Sequence, residues 1–185
     1  LCCDCRLCES ACKARAIDHL ASGDTIELDV ASVIMATGFN PSPGIPDGYG
    51  YGRYPDVVTA MEYERILSAS GPYAGHVARP SDRKPPEKIA FLQCVGSRDC
   101  MCDAEYCSSV CCMYAVKEAM ITKEHLPSVR EIDIYYMDIR AYGKDFDRYI
   151  DSARKKYGIR FIPARVSDVT PAASPGDATG GLRVS

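Results

Sequence analysis

Eleven cysteines fall in two short runs and nowhere else in the 185 residues. The first run is Cys2, Cys3, Cys5, Cys8 and Cys12; the second is Cys94, Cys100, Cys102, Cys107, Cys111 and Cys112. Thiols that staple a fold are spread along it, whereas thiols gathered at short range hold metal. Whatever this chain folds into must bring each run to a point. An odd number of clustered thiols also fits a reducing, anaerobic cytoplasm better than an oxidising compartment.

Cys2, Cys5, Cys8 and Cys12 read C-x2-C-x2-C-x3-C, the bacterial ferredoxin spacing for a [4Fe–4S] cluster. The first three thiolates can each take a corner of one cubane. The fourth, expected to start a helix and point away, ligates the other cluster in two-cluster ferredoxins. Lys13 stands where that motif has proline. A zinc site or a redox C-x-x-C is the competing reading. Zinc usually takes two separated pairs, and no partner pair lies nearby. Cys3 fits no ligand position and reads as a free thiol. A ferredoxin fold needs two such motifs and one is present. The chain also opens at Leu1 without Met and closes on Leu182–Ser185, which reads as an unfinished strand. A piece of a longer polypeptide is therefore expected.

The net charge of −3 leaves no electrostatic footprint for nucleic acid. No run of about eighteen apolar residues offers a membrane span. A hydrophobic content of 46% with 9% aromatics suits an ordinary globular core, and a chain this long can bury ~70% of its unfolded surface.

Thr25–Val30 alternates apolar and polar as a half-buried strand does, and 32–36 is a continuous apolar run like a buried parallel strand. It ends in Ala36-Thr37-Gly38, then Phe39-Asn40-Pro41. This V-I-x-A-T-G-x-x-P string resembles the close of the flavin domain in two-dinucleotide-domain flavoproteins of the thioredoxin-reductase-like group. The resemblance implies that Ala36, Thr37 and Gly38 lie beside FAD; on its own, an A-T-G tripeptide is an ordinary strand end.

Residues 41–56 form a Pro/Gly/Tyr-rich connector. Thr59 and Glu62 make a capping box for a helix with Tyr63, Ile66 and Leu67 on its buried stripe, stopped by Gly71-Pro72. A polar, Pro-rich linker follows over 72–87. From Glu87 the pattern is β-α-β-α-β. Strands are expected at 89–92, 132–136 and 159–162, with a fourth near 166–169. Helices are expected over about 107–124 and after Asp145. Strands alternating with helices imply a parallel, doubly wound α/β sheet.

This segment resembles the nucleotide domain of the same flavoproteins, which implies a glycine-rich phosphate loop at a helix N-terminus after the first strand. Here Cys94-Val95-Gly96-Ser97-Arg98-Asp99 and the second thiol run take its place. Cys94 falls at the carboxyl end of the strand, where ligands of open α/β sheets gather. Cys107 and Cys111 are one helical turn apart if the helix spans both, and Cys112 is adjacent. A helix N-terminus favours thiolates and an anionic cluster. Cys94, Cys107, Cys111 and Cys112 are thus four candidate ligands, set against the ordinary use of buried Cys as a small core residue. Cys100 and Cys102 read as bystanders. Arg140, after the second strand, faces a flavin, a cluster or a carboxylate, or is simply a structural arginine. His19, His76 and His125 lack metal spacing, and no Ser-His-Asp or Cys-His set suggests hydrolysis.

The strings A-T-G-F-N-P, Y-G-Y-G-R-Y-P-D-V, L-S-A-S-G-P, C-V-G-S-R-D, E-Y-C-S-S-V-C-C-M-Y-A and Y-M-D-I-R-A-Y-G-K occur in that order. Together they closely resemble the A subunit of heterodisulfide reductase, over nearly all of 1–170. The resemblance implies an iron–sulfur flavoprotein that splits electron pairs at FAD, between ferredoxin and a disulfide-reducing partner subunit. It maps the family's unusual cluster ligands onto Cys94, Cys107, Cys111 and Cys112. It implies partners among other heterodisulfide-reductase-type subunits, with ferredoxin or hydrogenase- or formate-dehydrogenase-type electron donors. The implied layout is a partial ferredoxin-type segment over 1–16, the end of an FAD-binding domain over 17–45 and a connector over 46–86. A Rossmann-like (thioredoxin-reductase-like) domain over 87–170 and a tail over 171–185 complete it. The stretch alone is expected to bind FAD poorly and to be inactive. A non-catalytic electron-transfer scaffold and a zinc protein are the alternatives.

Overall fold

The computed structural model describes residues 4–38, 44–172 and 181–185. Its contacts divide the chain into two units, Leu1–Gly38 and Phe39–Ser185.

In the first unit, Leu7–Ala11 forms the short helix α1. Cys12 turns extended and ends it, with its N–H on the Cys8 carbonyl. The expected helix therefore precedes the fourth cysteine instead of starting from it. The strands expected over 25–30 and 32–36 are not formed. Ile26, Leu28, Val30, Val33, Ile34 and Met35 are 59% to 90% exposed. Strand backbone groups need a neighbouring ladder to satisfy them, and no described segment of this unit supplies one. The apolar patterning is present, but among the described residues of this unit nothing pairs with it.

The second unit is built on three parallel strands, β1 (Lys88–Leu92), β2 (Glu131–Tyr136) and β3 (Arg160–Pro163), in that spatial order. Register pairs Phe91 with Ile134 and Ile134 with Phe161. Helix α2 (Ala60–Leu67) precedes the sheet, α3 (Cys111–His125) crosses from β1 to β2, and α4 (Phe146–Lys155) crosses from β2 to β3. The capping box at Thr59 and Glu62 forms as expected. Val116 and Ala119 of α3, Ile150 and Ala153 of α4, and Ile132 and Ile134 of β2 make the core. Tyr63 of α2 meets Phe91 edge-on at 5.6 Å, so all three helices serve one face.

That departs from a doubly wound sheet. Right-handed crossovers laid down in one direction put every helix on the same side; a second layer needs the strand order to reverse. The opposite face carries charge instead, with Arg160 forked onto Asp133 at 2.6 Å and Lys88 3.0 Å from Glu131. The strand expected near 166–169 does not extend the parallel sheet. It forms as β4 (Val169–Pro171), antiparallel to β5 (Leu182–Val184) in a separate ribbon. Among the described residues no helix is long and apolar enough to cross a membrane.

Candidate metal centre

β1 delivers its chain into a turn whose second residue is Cys94, held at φ +59. Arg98 and Ser109 also adopt positive φ, at 55 and 62. Left-handed backbone at non-glycine residues is uncommon and gathers at sites that need a particular geometry. Here three such residues surround one group of thiols.

The helix expected from Cys107 begins only at Cys111. Residues 106–108 are tied elsewhere: the Tyr106 carbonyl accepts from Arg98 N–H and Ser97 Oγ, and Ser108 N–H donates to Ser97 Oγ. Cys107 therefore sits in a loop, its sulfur accepting the Ser109 N–H at 3.3 Å, and the helical-turn relation to Cys111 does not hold. Val110 offers no side-chain cap.

Cys111 lies within hydrogen-bonding reach of both Cys94 and Cys112. Donation from Cys112 and then from Cys94, helped by the Cys94 amide and the Ser108 hydroxyl, pulls Cys111 well below an ordinary thiol. The same bonds, with burial, push the Cys94 and Cys112 thiols far up. The Arg140 N–H donates to Cys112 Sγ at 3.4 Å. Its guanidinium binds Asp138, 3.2 Å from Nε to Oδ2, and Arg98 grips the other oxygen of that carboxylate. Partial burial opposes ionisation of Asp138, but the bonds from Arg140 and Arg98 outweigh it and hold the carboxyl low. Arg98 also reaches the Cys94 sulfur, and Cys107 lies in the electrostatic reach of Arg140. Two guanidiniums therefore flank a sulfur cluster.

Cys94, Cys100, Cys102, Cys107, Cys111 and Cys112 are all free of disulfides. Cys100 and Cys102 occupy a short 3-10 turn whose cap is the Asp99 side chain on Met101 N–H. Among the described residues, no three or more His, Cys, Asp or Glu side chains are arranged to hold a single metal ion. In the first unit Cys5, Cys8 and Cys12 are not deeply buried, and Cys2 lies outside the described residues. Cys8 Sγ is 3.2 Å from His19 Nε2, a neighbour that spacing gave no reason to expect. Ala36 and Thr37 are exposed and Gly38 stands at φ +74. Arg98 is the other residue that sequence reasoning passed over. Its position in C-V-G-S-R-D, four residues past the first thiol, was the available signal.

Cys94 and Cys111 open onto a cleft of ≈ 2230 Å³, lined at this end also by Gln93, Tyr114 and Glu118. A cysteine-rich site at the carboxyl end of a parallel α/β sheet defines the class. No family profile matches the chain. It is 44% identical over 169 residues to the A subunit of the H2:CoB–CoM heterodisulfide,ferredoxin reductase of Methanothermobacter marburgensis, covering 91% of this chain and 26% of that protein. It is 48% identical over 157 residues to the second iron-sulfur A subunit of the CoB–CoM heterodisulfide reductase of Methanopyrus kandleri, covering 84% and 24%. The corresponding iron-sulfur A subunit of Methanocaldococcus jannaschii is 43% identical over 165 residues, covering 89% and 25%. Over the stretch it spans, the chain belongs to the family of heterodisulfide reductase A subunits. It spans about a quarter of the length of these relatives.

Proposed function

We propose that the chain is an electron-relay part of an iron–sulfur oxidoreductase subunit, with Cys94, Cys107, Cys111 and Cys112 holding a [4Fe–4S] cluster. The contact of Cys94, Cys111 and Cys112 at the end of β1, between Arg98 and Arg140, carries the reading. The donor set is sulfur only, which suits iron–sulfur and excludes hard cations. Cys94 and Cys107 lie on turns, so their sulfurs can separate to admit an inorganic core. When bound, such a cluster takes up and releases single electrons at a potential set by charge and hydrogen bonds to sulfur. The protein's part is to supply those terms. The Arg140 N–H bonds a ligand sulfur, Arg98 and Arg140 offset negative charge, and Asp138 fixes both side chains.

The same reading extends to the first unit, with Cys2, Cys5, Cys8 and Cys12 as a ferredoxin-type ligand set. Ala36, Thr37 and Gly38 of that unit are then the candidates for contact with FAD. In the whole protein it implies electron relay between FAD and clusters, with pairs divided between ferredoxin and a disulfide-reducing subunit, in the cytoplasm. Anaerobic reconstitution with iron and sulfide, metal and sulfide analysis, and EPR after dithionite test it. Iron and sulfide are expected in equal amounts, with a reduced signal lost in Cys111→Ser and Cys112→Ser. Zinc without sulfide would refute the cluster.

A further inference from the structure

Helix α3 begins at the thiols and runs away from them beneath α2. Cys111, Ala115, Glu118 and Thr122 follow one another at helical spacing on one side, all buried. Glu118 is 1% exposed, and its Oε2 has no hydrogen-bond partner. A carboxylate in that position is costly, since burial penalises its charge and no donor reaches Oε2. Seven residues separate it from Cys111, about 10 Å along the axis.

We propose that Glu118 is a redox-linked proton site: its carboxylate takes up one proton when the thiolate-held centre at the head of the same helix gains one electron. This rests on the cluster reading of those thiols. The step balances. One electron from a low-potential one-electron donor enters the centre, one proton from solvent bonds to a Glu118 oxygen, and the buried region gains no net charge.

The groups facing Glu118 single it out. Its natural counter-ion, Lys117, is taken by Glu64 of α2, with Nζ 2.8 Å from Oε1. Burial, then the Glu64 charge, push the Glu118 carboxyl up to about 8, against a pull from Lys117. Burial pushes Tyr63 of α2, bonded to Thr122 at 2.7 Å, up to about 12, and Tyr114 up as well. Tyr149 of α4, near Lys117, is also raised by burial. β2 presents only Ile132 and Ile134 to this core. The tyrosines thus stay protonated while Glu118 titrates.

At about 10 Å and an effective dielectric of about 20, one added electron raises a carboxyl's proton affinity roughly tenfold. For a one-electron couple, tenfold converts to about 59 mV. In an EPR-monitored redox titration of the reconstituted protein, the potential should fall by about 60 mV in total above pH 8, then level off. Glu118→Gln, with unchanged iron content, should be flat over that range; Glu118→Asp should restore a slope. A flat wild-type profile, or the same fall in Glu118→Gln, overturns the proposal. Infrared spectra of the metal-free chain give a second readout. A protonated-carboxyl band should vanish with a midpoint near pH 8 and be missing from Glu118→Gln; its absence from the wild type also overturns the proposal. If no reducible iron–sulfur signal forms in either protein, the cluster reading fails and the coupling with it. A normal infrared titration beside that result would mark the failure as the cluster's and not the carboxyl's.

Discussion

The same buried carboxyl makes a prediction that needs no cofactor. Glu118 has an ordinary value of 4.5 when unburied and is pushed up to about 8 in the fold. Between those values the folded chain holds a proton that the unfolded chain has released. Stability must then fall as pH rises, by about 1.4 kcal/mol per unit, and flatten above about 8. Across the whole interval the loss is about 5 kcal/mol, a large part of the stability of a typical domain. Glutamine at position 118 has nearly the same shape and cannot ionise. It leaves buried donors without partners, a cost of about 1–3 kcal/mol that does not vary with pH. The difference between Glu118→Gln and wild type should therefore start unfavourable near pH 5, cross zero, and favour the variant by pH 8 to 9. Urea unfolding of the metal-free protein followed by circular dichroism, at half-unit pH steps, measures it. Titrating groups that do not interact with Glu118 cancel in the difference. A difference that stays constant from pH 5 to 9 would show that Glu118 titrates normally and that the burial argument is wrong.

Two further outcomes follow from the packing and the charge pattern. Ile134 is fully buried and lies in register between Phe91 and Phe161. Ile134→Ala should cost about 2–5 kcal/mol by lost burial and a residual cavity, read as a lower urea midpoint at unchanged slope; a loss under about 1 kcal/mol would mean the sheet is not packed as described. Asp138→Asn removes a negative charge while leaving Arg98 and Arg140 in place. The reduction potential of the reconstituted centre should rise, and the rise should shrink with added salt because these groups are partly exposed; a fall would contradict the placement of Asp138 beside the sulfurs.

The parts of this fold that depend on local pattern were legible in the sequence. β1, β2 and β3 carry their apolar residues where a three-strand register wants them, and the Thr59–Glu62 box is a side-chain motif complete within four residues. What depends on partners was not. Residues 25–36 have the alternation of strands, but a strand exists only with a neighbour, and pattern cannot say whether one is within reach. The start of α3 was misplaced for a related reason. Cys107–Val110 has no helix-breaking residue, and it is unwound by bonds from Tyr106 and Ser108 to Ser97 and Arg98, eight to eleven residues earlier. Glu118 was invisible altogether. In V-K-E-A it reads like any solvated helix glutamate, and only the arrival of α2 over that side of α3 encloses it.

These misses share a consequence for the site. Had the helix started at Cys107, Cys107 and Cys111 would have been fixed by helical geometry and their separation set. Unwinding the first turn places Cys107 and Cys94 on loops and leaves Cys111 and Cys112 as the rigid pair, anchored by a helix whose core residues Val116 and Ala119 are fully buried. A site with two rigid and two adjustable sulfurs can accept a core larger than one ion without disturbing the sheet. The rigid pair also ties the thiols mechanically and electrostatically to α3, and α3 carries the one carboxyl among the described residues that is fully buried with an unpartnered oxygen. Charge placed on the sulfurs is felt along that helix before it is screened by water, which is why the redox and stability experiments converge on Glu118 instead of on the exposed arginines nearer the site.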